Sequence, residues 1–442
     1  MKIKWKIIDN NNGRGVNMVS NKNSYAIKGN IIYSTTPDQL VLIENGYAVC
    51  ENGICGGAFA KLPEKYNGIQ VKDYGDRLVI PGLVDLHMHA PQYGLRGFGM
   101  DLELLDWLNT YTFPEEEKYA KEEYAKKAYG MFTEELKKSP TTRACIFATI
   151  HRDATKILMD LLEKTKLRTM VGKVNMDRNA PEYLCESTEE SAAQTLQWLK
   201  EMQGQYKYVE PILTPRFIPS CSDSLMKTLG EIQKSQHLPV QSHLSENEGE
   251  IAWVKELCPA AGFYGEAYEH AGLFGNGCKT VMAHCVSSVE EEIALIKRNG
   301  VYVAHCPQSN MNLSSGIAPI RKYLDEGLHV GLGSDLAGGS SMSMFRAMSD
   351  AIQVSKLYWR MWDQSASPLN VKEAFYLATK GGGEFFGKIG SFESGYEFDV
   401  LVIEDESIWH PQELGLLERL ERVIYLGDAD NIVEKIVAGE II

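Results

Sequence analysis

Between about residues 80 and 389 the hydrophobic pattern alternates between apolar runs of strand length and amphipathic stretches of helical length. The runs lead into Leu86 and cover Ile146 to Thr149, Met170 to Val174, Ile212 to Phe217, Val240 to His243, Thr280 to His284, Val301 to His305 and Val330 to Gly333. Between them, Ser187-x-x-Glu190 and Ser245-x-x-Glu248 read as capping boxes. Pro114 followed by Glu115 to Glu117 reads as a helix start, and Gly381 to Gly383 as a stop. Eight strand–helix units over about 310 residues predict an α/β fold, a (β/α)8 TIM barrel whose working face is the carboxyl end of its strands.

The pattern outside this block is different. Tyr25 to Ile27, Ile31 to Tyr33, Leu40 to Ile43 and Tyr47 to Val49 are short β-rich runs punctuated by Asn-Gly pairs at 45–46, 52–53 and 67–68. Short strands return at Asp399 to Ile403 and Arg422 to Leu426. Residues 1–79 and 390–442 are therefore expected to form one small antiparallel β-sandwich domain beside a catalytic barrel at 80–389. About 50 residues separate the first barrel strand from the second. The opening part of that interval, about 92–114, contains Asp101-Leu-Glu-Leu-Leu-Asp-Trp107-Leu and Tyr111-Thr-Phe113 and reads as a lid.

Composition narrows the partners. The 442 residues carry 45 Lys and Arg against 59 Asp and Glu, a net charge of −14, which disfavours nucleic acid and anionic membrane surfaces. With 44% hydrophobic and 24% charged residues, order is expected throughout. Nine scattered cysteines without a C-x-x-C pair fit a reduced, cytoplasmic setting. Lysines interrupt the start of the chain, Met1-Lys-Ile-Lys-Trp-Lys6, and no apolar run reaches membrane-spanning length, so neither a signal peptide nor a span is expected.

Histidines and acids fall at strand ends in a way packing does not require. His87 and His89 form an H-x-H pair, and side chains two apart on a strand share a face. His243, His284 and His305 close the fifth, sixth and seventh strands, and Asp335 follows the eighth. Strand ends converge in a barrel, so three imidazoles and one carboxylate can surround a divalent ion and leave a position for water, whose proton is then lost far more easily. Glu246, three residues after His243, can supply a proton to a leaving group. Ser245 as a cap places it in a helix's first turn, where the dipole favours carboxylate and an apolar pocket the neutral acid. Arg216 and Phe217 offer a planar donor fork beside an aromatic face, and Gln92 a donor and an acceptor, which suits a flat nitrogenous ring. Arg216 could instead pair with an acid and Phe217 serve as core. Lys173 reads as structural, so one metal is expected rather than two. His151, His237, His270, His329 and His410 read as structural or surface residues.

Together, Pro81-Gly-Leu-Val-Asp-Leu-His-Met-His89, His243-Leu-Ser-Glu246, Ala283-His284, His305-Cys-Pro-Gln-Ser-Asn310 and Gly333-Ser-Asp335 resemble the amidohydrolase superfamily, specifically its mononuclear aminohydrolases. His89-Ala-Pro-Gln-Tyr93, Leu104 to Leu108, Tyr111-Thr-Phe-Pro114, Thr214-Pro-Arg-Phe217 and Asp335 to Ser340 are similar to the branch that deaminates guanine. The resemblance implies one Zn2+ (or Fe2+) held by His87, His89, His243 and Asp335, with Glu246 as proton shuttle and His284 orienting the hydroxide. Gln92, Trp107, Arg216 and Phe217, with Glu246 and His284, would contact the purine. It further implies attack at C2, protonation of N3 by Glu246, transfer of the hydroxide proton to Asp335, and release of ammonia to leave xanthine, in a cytoplasmic homodimer. Three positions depart from the pattern: Gln308 where Asn is commoner, Cys285 where Gly is usual, and Phe398 where Ala is usual. Related rings (8-oxoguanine, pterins, triazines) stay open as substrates, as does a non-catalytic heterocycle-binding or scaffold barrel.

Overall fold

The computed structural model describes residues 24–442, so the lysine-rich start of the chain and the first part of the expected 1–79 segment lie outside the described residues. Four strands come first: β1 (Ser24–Thr36), β2 (Gln39–Glu51), β3 (Ile54–Phe59) and β4 (Gln70–Pro81). The short runs read from the sequence merge into these longer strands. Asn52-Gly53 is the two-residue turn between β2 and β3, with both residues at positive φ. Asn45-Gly46 is no turn. It lies inside β2 where the register against β1 shifts, a bulge that lets one strand continue through the pair.

Ten segments follow: β5 (Leu83–His89), β6 (Thr141–Phe147), β7 (Arg168–Gly172), β8 (Val174–Asn175), β9 (Val209–Pro211), β10 (Thr214–Pro215), β11 (Val240–Leu244), β12 (Thr280–His284), β13 (Tyr302–His305) and β14 (His329–Leu332). They fall on the eight expected runs, the third and fourth of which are each broken in two. Strands β5, β6, β7 and β9 form one parallel sheet, β11 to β14 a second, and β8 pairs with β10 between them. A parallel bridge from Leu213 to Val240 links the short pair's neighbourhood to β11. On the far side, Asp335 N donates to His87 O at 2.8 Å and His89 N to Leu336 O at 3.0 Å, tying the end of β14 to β5. Strands β5, β6, β11 and β12 are buried along their whole length, as continuous apolar runs covered on both faces should be.

Three last strands, β15 (Val400–Ile403), β16 (Ile432–Val437) and β17 (Glu440–Ile441), join the first four in one seven-stranded sheet, ordered β17-β16-β15-β4-β1-β2-β3. Strands from the two ends of the described residues thus meet in one β unit, but its hydrogen bonding is continuous rather than split into two layers. The β1–β4 pairing is parallel, so the sheet is mixed rather than antiparallel. Residues Arg422 to Leu426 are not a strand. They end the helix Leu416–Leu426, whose buried Leu416, Leu420, Val423 and Ile424 follow the helical i, i+4, i+7, i+8 spacing that a five-residue window hides. The two parts are joined by a buried fork: Arg143 of β6 donates through Nε and Nη2 to Asp399, at 2.6 and 2.9 Å.

Candidate active site

H-x-H closes β5, and the ladder that holds its backbone also aims both rings inward. His89 Nε2 lies 3.1 Å from His243 Nε2, and His87 Nε2 lies 3.2 Å from Asp335 Oδ1, with His89 Nε2 3.6 Å from the same oxygen. All four residues are buried. Two partners fix the approach of Asp335 to His87: Asp85 Oδ1 accepts from His87 N at 3.2 Å and from Ser334 N at 3.0 Å, locking β5 to the segment after β14. Phe147 packs against three of the imidazoles, with ring centroids 4.5 Å apart at His89 and 5.0 Å at His87 and His243.

Protonation tests whether these residues fit a cation. Burial holds His87 below its ordinary pKa and His89 and His243 well below, so the rings are neutral. His243 Nδ1 donates to Arg216 O at 2.6 Å, which leaves its Nε2 a bare lone pair. A proton on His89 Nε2 would satisfy that contact alone, leaving His87 Nε2 buried against Asp335 Oδ1 at 3.2 Å. Burial works against charge on Asp335, but the surrounding imidazoles, His87 foremost, outweigh it and hold the carboxyl well below its usual range. Lone pairs and a carboxylate converge with too few protons among them, and a divalent ion satisfies the set.

Glu246 stands beside this cluster, its Oε2 3.4 Å from His284 Nε2 and its Oε1 accepting from Ser315 Oγ at 3.4 Å. Burial, then the charge of Asp335, raises its pKa well above the ordinary carboxyl value. The expected capping box at Ser245 is not there. The cap is Asn247, whose box closes with Glu250, and the helix runs Glu248–Leu257. Glu246 therefore precedes the helix, outside the first-turn position, because Ser245 adopts φ +46° and turns its Oγ to Glu292 at 2.7 Å. Glu250 also holds the loop: its Oε2 accepts from Glu246 N at 3.0 Å and its Oε1 from Tyr264 OH at 2.7 Å.

His284 is oriented by Asn310, whose Oδ1 accepts from His284 Nδ1 at 2.9 Å. Ser245, His284, Cys285 and Asp335 all have positive φ, so the backbone is strained at the site itself, and Cys285 bears a side chain where glycine would be free of that cost. Gln308 carries out its loop's bonding, accepting from Ser340 N at 2.7 Å and donating to Asp350 at 3.1 Å.

A cavity opens on this cluster, lined by His89, His243, Glu246, His284 and Asp335 at one end and by Gln92, Arg216 and Phe217 at the other. Leu104, Trp107 and Leu108 of the insertion after β5 also line it, with Leu313. Trp107 is anchored through Nε1 to Phe98 O at 2.9 Å. Arg216 lines the cavity and pairs with a buried acid, donating to Glu116 at 2.6 and 3.0 Å. Lys173 pairs with Glu186 at 2.7 Å, a structural contact. His305 is buried with its pKa pushed down to about 3, outside the four-ligand cluster, while His237, His270, His329 and His410 are exposed and His151 half-buried.

Sequence reasoning missed Phe147, Asn310, Glu116, Glu250 and Cys306. Cys306 lies with His87 and His284 in a second potential ligand group, but burial drives its thiol far up and it donates to Ala304 O at 3.4 Å. Asn310 and Cys306 both stand in the quoted motif His305 to Asn310, and Glu116 in the helix start after Pro114, but none of them was singled out for a role. Among the described residues, no helix is long and apolar enough to cross a membrane.

Residues 78–442 match the model of the Amidohydrolase family. The chain is 39% identical over 385 residues to guanine deaminase of Dictyostelium discoideum, covering 84% of this chain and 85% of that one. It is 42% identical to guanine deaminase of Mus musculus over 375 residues, 82% of each. A crystal structure of guanine deaminase from C. acetobutylicum with bound guanine in the active site superposes with a TM-score of 0.92 at 49% identity, over 95% of this chain and 100% of that one.

Proposed function

Because the chain belongs to the amidohydrolase family and is a metal-dependent aminohydrolase, we propose that it hydrolyses guanine to xanthine and ammonia. One observation carries this reading. Three buried imidazoles and Asp335 meet beside the buried Glu246 at one end of a small cavity whose other end presents Gln92, Arg216 and Phe217. His87, His89, His243 and Asp335 would hold one zinc ion per chain, with Fe2+ the alternative these donors allow. Such an ion supplies Lewis-acid activation of water at neutral pH.

The chain's own residues do the rest. Glu246, kept neutral by burial, donates its proton to ring N3 as charge develops there on attack at C2. His284, fixed by Asn310, orients the attacking water, and Asp335, held ionised, receives its proton and passes it to the amine, which leaves as ammonia. Arg216 and Gln92 present donors to the O6 edge, and Phe217 and Trp107 sandwich the ring and exclude water. The ten parallel segments, on eight strand positions, would close as a (β/α)8 barrel over residues 80–389, with the described residues 24–79 and 390–442 as the second domain. The resemblance adds a cytoplasmic homodimer.

Incubation of purified, metal-loaded protein with guanine tests the reading. Guanine absorbance should fall with stoichiometric ammonia release, and no turnover at full metal occupancy overturns it. A panel including 8-oxoguanine, a pterin and a triazine fixes the ring, and metal analysis of protein purified without added metal fixes the ion.

A further inference from the structure

Glu116 is 1% exposed and does not line the cavity, yet it grips two residues that do. Its Oε2 accepts from Arg216 Nη1 at 2.6 Å, and its Oε1 from Arg216 Nη2 at 3.0 Å and from Gln92 Nε2 at 3.2 Å. Gln92 is held at its other end as well, its Oε1 accepting from Ala337 N at 3.1 Å, so both ends of its amide are assigned. Arg216 lies over the ring of Phe113, 5.2 Å from its centroid. Phe113 and Glu116 belong to one short helix, Phe113–Glu117, in the stretch between β5 and β6. That stretch thus holds two cavity-lining side chains from different strand ends in place.

The charge arithmetic matters as much as the geometry. A guanidinium always carries its charge, and in a buried pocket an unpaired one would attract any anion strongly. The bidentate pair with Glu116 cancels that charge while leaving three of the five guanidinium N–H groups for other acceptors. The geometry points to Glu116 as a positioning and specificity-determining residue: it fixes Gln92 and Arg216 and makes the recognition end electrically neutral, favouring a neutral oxo-heterocycle over an anionic one. This rests on the purine reading of the same site.

The test uses two rings with no amino group to hydrolyse, neutral hypoxanthine and the urate monoanion, titrated at one neutral pH against the metal-loaded enzyme. In Glu116→Gln, hypoxanthine binding weakens at least tenfold and the urate-to-hypoxanthine affinity ratio rises at least tenfold. The KM for guanine rises by more than kcat falls, and metal content stays at the wild-type level. Glu116→Asp keeps the charge and shortens the reach, so hypoxanthine weakens while the ratio stays put; it also serves if Glu116→Gln does not fold. Unchanged hypoxanthine affinity in either variant, or an unchanged ratio in Glu116→Gln, overturns the inference. If wild-type enzyme binds hypoxanthine without turning over guanine, the functional reading fails and the inference is still decided by these ratios. A crystal structure of Glu116→Gln reads it without any purine, and an Arg216 fork left in place overturns it.

Discussion

The two ends of the cavity are built on different principles. At the metal end, His87, His89, His243 and Asp335 extend from strand ends or the turns just after them, and their neighbours Asp85, Phe147 and Arg216 O hold them through backbone or ring contacts. At the recognition end, Gln92 and Arg216 depend on a side chain lent by the insertion, Glu116. The first end is fixed by the sheets and has one chemical task. The second is fixed by a helix laid across it, so its geometry and charge can change without disturbing the sheets. Damage should accordingly be all-or-none at one end and graded at the other.

The largest effect is expected from His87→Ala. Loss of one ligand should empty the site and lower turnover by more than about a thousandfold, beyond the roughly 10–100-fold of an outer-shell change. Metal analysis alongside kcat checks it, and a variant that keeps full metal removes His87 from the ligand set. Glu246→Gln should cost about 10²–10⁴-fold in kcat at unchanged metal content, the range of a lost general acid. Its pH dependence has a definite sign. Burial and the charge of Asp335 raise the Glu246 pKa, so the proton-donating form prevails below the raised value and activity falls as pH climbs through it. A wild-type alkaline limb that persists unchanged in Glu246→Gln belongs to another group.

At the graded end, Arg216→Lys keeps the charge and loses the fork. The loss of one charge-assisted hydrogen bond, about 1.5–3 kcal/mol, should raise KM for guanine roughly 10–100-fold with metal content intact. An effect on kcat as large as on KM would place Arg216 in the chemistry and blur the distinction between the two ends.

Both ends were partly legible in the sequence: Gln92, Arg216 and Phe217 were read from their residue types, and the metal end from spacing. Period-two spacing put His87 and His89 on one face, and eight apolar runs put His243, His284 and Asp335 at the same rim, because a parallel array converts linear strand ends into neighbours. What failed was local or cross-chain. Ser245 matched a capping pattern, but its backbone sits at φ +46° and the true cap lies two residues later, which no spacing rule reveals. Arg422 to Leu426 looked like a strand because five residues cannot show helical period. Glu116 was visible only as one of three acids suiting a helix start. Its partners lie 24 and 100 residues away, and nothing in a local pattern specifies which acid of a helix turns inward.

The smallest effect separates the support behind the metal end from its chemistry. Glu250 is buried beside Glu246, its pKa pushed up to about 7 from 4.5, chiefly by burial. Over that window the folded protein keeps a proton that the unfolded chain has released, so the stability Glu250 contributes is complete below about pH 4.5 and is lost as pH rises through about 7. Glu250→Gln cannot titrate. Its amide oxygen can still accept from Glu246 N and Asn247 N, and the Tyr264 hydroxyl can rotate from donating to accepting. The fold of the loop should survive while one source of pH dependence disappears, so Tm should fall less steeply between pH 4.5 and 7 than in the wild type. Glu246 remains, shifted in the same direction, so the slope should shrink rather than vanish. Thermal melts of the two proteins across that range decide it, and parallel slopes would mean that Glu250 shares its proton equally between the folded and unfolded states, leaving only its hydrogen bonds to explain why it is buried there.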